Sequence, residues 1–136
     1  MTISAVMVRD SIAPHGVRLT TMQLKYPRFI HAEFMTHRVF SRNASSSRAI
    51  PVERMIQSII DDTAMPVHWG KNQPGMQARE ECDEPVGLDI IQHGLGRPIH
   101  MEVSPQEAWE EARDRAIDVA RAFHDAGYHK QIVNRL

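Results

Sequence analysis

The chain has 136 residues, enough for one domain with a hydrophobic core. Its 16 basic and 17 acidic residues nearly cancel, so no global field draws it to nucleic acid or to an anionic membrane, and any preference for an anion has to be local. No apolar run reaches the ~18 residues that cross a bilayer, and the N-terminus lacks the charged and apolar regions of a signal peptide, so a cytoplasmic protein is expected.

The first element the sequence marks is a strand over Val17 to Tyr26, rich in Val, Leu, Thr and Tyr and preceded by the turn-like Pro14-His15-Gly16. Pro27 suits a first helical turn. Phe29, Ile30, Phe34 and Met35 follow at helical spacing, which predicts a helix from about Arg28 to Arg38 with His37 and Arg38 at its end, where cations complement the helix dipole. A polar segment runs on to Arg48, and Pro51 then opens a second short helix through Val52, Met55, Ile56, Ile59 and Ile60 that fades near Asp61.

The stretch 64–98 carries Pro66, Pro74, Pro85 and Pro98, and reads as a loop-rich insertion that Trp69 pins in part. Its single cysteine, Cys82, excludes an internal disulfide framework and a cysteine-based zinc site. Glu80, Glu81, Asp83 and Glu84 around it favour the neutral thiol, so it is a poor nucleophile. Ser104-Pro105-Gln106-Glu107 is a capping box with proline at the first helical position. The helix it opens has an apolar stripe of Trp109, Ala112, Ala116, Val119, Ala120 and Phe123, and Gly127 stops it. Lys130 to Leu136 reads as the start of another helix. Eight histidines are present, but none stands in a metal-binding pattern such as HExxH, and no metal is expected.

The chemistry concentrates between Thr36 and Arg48 (THRVFSRNASSSR), where arginines, serine hydroxyls, a histidine and an amide crowd together. Guanidinium groups present planar forked donors that match phosphate, and hydroxyls and backbone N–H groups fill the remaining acceptor positions. Taken from the residues alone, this is an anion site or a solvated basic loop before a helix.

The same residues resemble the signature of flavin-dependent thymidylate synthases, in which Arg-His-Arg is followed after seven residues by Ser, with an inner Ser, an Asn-Glu pair and a closing Arg. His37, Arg38, Ser41, Asn43, Ser46 and Arg48 fall in register with it. The flanks Tyr26-Pro27-Arg28-Phe29-Ile30-His31 and His68-Trp69-Gly70-Lys71-Asn72-Gln73-Pro74-Gly75 look similar to phage-encoded members, and the likeness covers most of the chain. Thr36 stands where the first Arg is expected and Ala44 where the Glu is expected.

The resemblance implies a mixed α/β (α+β) fold of that family, with residues 1–136 as a single, partial domain. It also implies flavin contacts from His37, Arg38 and Asn43, catalytic roles for Ser46 and Arg48, and nucleotide contacts from Ser46, Arg48 and Arg135. The implied reaction methylates deoxyuridine monophosphate to thymidylate with methylenetetrahydrofolate as carbon donor, and with FAD and NADPH supplying the reducing equivalents; a variant transfers hydroxymethyl. Family members build each site across the subunits of a homotetramer, so a homo-oligomer is expected. In the family, the helix matching Gln131-Ile132-Val133-Asn134-Arg135 continues into further strands and a further binding helix. A fragment, a split gene or a natural truncation is therefore expected, and with it the alternative of a catalytically incompetent nucleotide- or phosphate-binding module.

Overall fold

A computed structural model describes residues 3–91 and 97–136. The chain is a mixed α+β protein with two small antiparallel sheets and several helices, and its contacts divide it into two compact units, 1–45 and 46–136.

The first unit begins with strands β1 (Ser4–Ile12) and β2 (Arg18–Lys25), paired antiparallel from Ser4↔Lys25 to Ile12↔Arg18. The strand expected over Val17 to Tyr26 is β2. Its partner β1 went unread, although its β-branched residues alternate. Gly16, at φ 87°, makes the turn in a conformation that L side chains rarely adopt. The register slips between Met7 and Arg9, a bulge that leaves Val8 as the extra residue. Counting side chains outward from this bulge puts Asp10, Arg18 and Thr20 on one face, where Arg18 makes a forked contact with Asp10 (2.6–3.1 Å) and Thr20 donates to it at 2.8 Å.

Beyond β2, a short 3₁₀ turn (Arg28–Ile30) leads into α1 (His31–Thr36). The expected helix to Arg38 therefore stops two residues early. Thr36 explains part of this, because its hydroxyl donates to the Glu33 carbonyl at 2.7 Å and so competes with continued helix. His37 is already extended, at φ −65° and ψ 134°.

In the second unit, α2 (Val52–Asp61) starts directly after Pro51, as the sequence implies. The stretch 64–98 is loop only in its first part. Val86–Ile91 forms β3, paired antiparallel with β4 (Pro98–Val103), while residues 92–96 lie outside the described residues. The loop before β3 is pinned at Trp69, whose ring meets Trp109 edge-on at 6.0 Å, and by the bridge between Gly70 and Glu81. Trp109 Nε1 in turn donates to the Ala64 carbonyl at 2.8 Å.

Helix α3 (Pro105–Asp125) has the expected cap in full: Ser104 Oγ accepts from the Glu107 N–H while the Glu107 carboxylate accepts from the Ser104 N–H at 2.8 Å. The Ser104 hydroxyl, which donates to the same carboxylate at 2.7 Å, and then the Ser104 N–H hold the Glu107 carboxyl below its ordinary value. The core-facing stripe of α3 differs from the expected one. Ile117 and Ala120 are buried with Phe123 packed beside them, whereas Val119 is 47 % exposed. Stepping three residues at a time from Ile117 reaches Ala120 and then Phe123, so the buried face is turned by one position relative to a stripe centred on Ala116 and Val119. The core is completed by Val52 and Ile56 of α2 and by Val133 of the short α4 (Lys130–Val133).

Candidate functional site

The Thr36–Arg48 motif runs across the boundary between the two units, so its halves are built separately. In the first, the rings of Tyr26, Phe34 and Phe40 follow one another at centroid distances of 5.0 and 5.3 Å, and the His37 imidazole stacks on Phe40 at 6.0 Å. Tyr26 is fixed at its other edge by a 2.8 Å hydrogen bond between its hydroxyl and His31 Nδ1. Aromatic contacts therefore set the plane of His37 instead of a helix end. The carbonyls left open where α1 stops are taken by the guanidinium of Arg42, which donates to Met35 O and His37 O. The dipole-complementing role expected of His37 and Arg38 thus falls to Arg42.

Arg38 and Asn43 are exposed, and among the described residues the Arg38 guanidinium makes no ion pair. Thr36 cannot stand in for the motif's first Arg, since its hydroxyl is committed to Glu33 and it carries no charge.

The second half is a single 3₁₀ turn over Ser47–Ala49, capped by Ser46, whose Oγ accepts from the Arg48 N–H at 3.3 Å. Ala49 N–H closes the turn onto Ser46 O at 2.9 Å. The turn is held from below. Asn134 Nδ2 donates to Ser47 O at 2.8 Å and to Ile50 O at 2.9 Å, contacts that join residues 87 and 84 apart in sequence. Asn134 is 6 % exposed, and removing a buried amide's partners costs about 1–3 kcal/mol, so this tether is expensive to break. The residue before it, Val133, is 2 % exposed in the core, and the residue after it is the exposed Arg135. Asn134 thus ties the turn that carries Ser46 and Arg48 to the end of α4, next to Arg135 in sequence.

Among the described residues the Arg48 guanidinium has no hydrogen-bond or ion-pair partner and is exposed. An arginine with all its side-chain donors open, next to a serine hydroxyl, can take a phosphate through charge-assisted bonds of about 1.5–3 kcal/mol each. Sequence reasoning singled out Ser46, Arg48 and Arg135 and passed over Asn134. Its importance comes wholly from contacts made across most of the chain, and no local pattern signals them.

A concavity of about 280 Å³ lies over the start of α3 and is lined by Trp69, Glu81, Cys82, Asp83, Ser104, Pro105 and Gln106. Two carboxylates in its wall oppose an anion, and Ser104 is already engaged with Glu107. No group of three His, Cys, Asp or Glu side chains that could hold a metal occurs among the described residues. No helix among them is long and apolar enough to cross a membrane. No family model matches the chain, and neither a curated protein nor a solved structure matches it.

Proposed function

We propose that this chain is a flavin-dependent thymidylate synthase homologue with that family's fold, and that the Ser46–Arg48 turn takes the phosphate of deoxyuridine monophosphate. The observation that carries the nucleotide part is the turn itself: an exposed hydroxyl and an unpartnered guanidinium, mounted with Arg135 on a buried amide. A nucleoside monophosphate brings close to two negative charges, which match two arginines and a hydroxyl.

His37, Arg38 and Asn43 are the residues that would hold FAD. An oriented imidazole and an open guanidinium suit the electron-rich carbonyl edge of a flavin and its anionic reduced form. Bound FAD, recharged by NADPH, would supply the hydride that completes methyl transfer from methylenetetrahydrofolate. The chain's own contribution is then to bind and orient: the turn fixes the nucleotide by its phosphate, and the Phe40 stack fixes the plane of His37. Positioning of this kind matters because a misplacement of about 1 Å can cost a hundredfold in rate.

Titration of deoxyuridine monophosphate into the wild type and Arg48→Ala tests the nucleotide part. The mutant should bind about tenfold more weakly, equivalent to about 1.4 kcal/mol; equal affinities would remove Arg48 from the site. A second reading, a nucleotide-binding module without flavin, is favoured by the commitment of Thr36 to Glu33, which leaves the flavin side one cation short. The visible absorbance of the purified protein separates the two. A bound-flavin band that Arg38→Ala abolishes supports the enzyme, and its absence from wild type reconstituted with FAD supports the module.

A further inference from the structure

We propose that Asn134 is the positioning residue of the phosphate site, acting through the backbone of the Ser46–Arg48 turn. This role rests on the nucleotide reading above. Both of the carbonyls it binds, Ser47 O and Ile50 O, flank Arg48, and both are held by the same Nδ2 atom at 2.8 and 2.9 Å. Two carbonyls drawn to one donor fix the path of the chain between them, so the direction in which Arg48 leaves the turn is set from α4.

The same residue is joined by one peptide bond to Arg135 and by another to Val133, which is 2 % exposed in the core. Val133 locks α4 against Val52, Ile56, Ile117 and Ala120. Asn134 therefore anchors the turn that carries Arg48 to α4, and it does so without facing the ligand itself. Its amide is needed because it must donate. An aspartate of the same shape would present acceptors to two carbonyls and push the turn away.

The test reads phosphate recognition apart from stability. Binding of deoxyuridine monophosphate and of deoxyuridine is measured for the full chain as wild type, Asn134→Asp, Asn134→Ala, Arg48→Ala, the double variant Arg48→Ala/Asn134→Ala, and the core control Ile117→Val. Asn134→Asp should weaken monophosphate binding about tenfold while nucleoside binding stays within about twofold. The double variant should be no more than about twofold weaker than Arg48→Ala, because a residue that acts through Arg48 adds nothing once Arg48 is gone. Ile117→Val should lower the melting temperature and leave the monophosphate-to-nucleoside preference unchanged.

If Asn134→Asp does not melt cooperatively, Asn134→Ser, which keeps a single short donor, is read by the same criterion. Retention of full monophosphate preference by a folded Asn134 variant, with Arg48→Ala still impaired, overturns this role alone. So does additivity in the double variant. Failure of the wild type to bind deoxyuridine monophosphate, or equal binding by Arg48→Ala, overturns the nucleotide reading and the Asn134 role with it.

Discussion

The β1–β2 hairpin and the α2–α3–α4 bundle are both regular along their backbones, yet they treat their side chains in opposite ways. In the hairpin Leu19 is 70 % exposed and Ile12 65 %, and the strand residues of β2 are exposed throughout. In the bundle five apolar residues are buried, down to 2 % exposure at Val133. A two-stranded hairpin draws its register from ladder bonds and from pairs such as Asp10–Arg18, but on its own it is marginally stable because it buries little. The bundle draws its stability from burial. The Ser46–Arg48 turn belongs to the second kind of structure, since Asn134 ties it to the core, whereas the His37 ring is oriented by its stack on Phe40.

The largest test of this contrast is a pair of substitutions read by thermal unfolding of the whole chain. Ile117→Ala should cost about 2–5 kcal/mol, the range for deleting a packed aliphatic side chain, while Leu19→Ala should stay within about 0.5 kcal/mol. Comparable losses at both positions would show that the hairpin is packed after all. Amide hydrogen exchange sharpens the same point. Amides of β1 and β2 should exchange well before those in the middle of α3, because local opening of the hairpin exposes little new apolar surface.

The next effect in size is the cap of α3. Ser104→Ala removes the acceptor for the Glu107 N–H and should cost about 1 kcal/mol, measured as a lowered denaturation midpoint. It also changes the response to acid. The native Glu107 carboxyl lies below its ordinary value, so the stability it contributes is present above the ordinary glutamate range and is lost as pH falls through the depressed native value. Ser104→Ala should flatten that acid loss; an unchanged acid limb would mean that the cap is not what depresses Glu107. The smallest effect belongs to the hairpin's ion pair. Asp10 is likewise held down by Arg18 and then Thr20, but the pair lies on the surface of a two-stranded hairpin, so Asp10→Asn should leave the melting temperature nearly unchanged, and less affected still in high salt.

Much of the local structure was legible in the residues. Gly16, Pro51, the Ser104–Glu107 box and Gly127 each impose a conformation through their own covalent chemistry or through partners within a few positions, and β2, α2 and α3 begin and end beside them. The polar motif was legible as a cluster of guanidinium and hydroxyl donors for the same reason, because the chemistry of those groups does not depend on context. The errors came where neighbours compete. Thr36 turned its hydroxyl on its own helix, Arg42 took the open carbonyls, and β3 formed inside a stretch whose prolines had suggested loop, paired with β4 at its end.

By itself, then, the sequence determined the caps, the turns and the kinds of polar group the 36–48 motif presents, since these are set by single residues and short spacings. Tertiary structure alone decided that Ile117 and not Val119 faces the core, and that Asn134 reaches back across 84 residues to hold the turn that carries Arg48. A helix offers several nearly equivalent apolar faces, and an amide has no preferred partner until packing brings two unpaired carbonyls within reach of it.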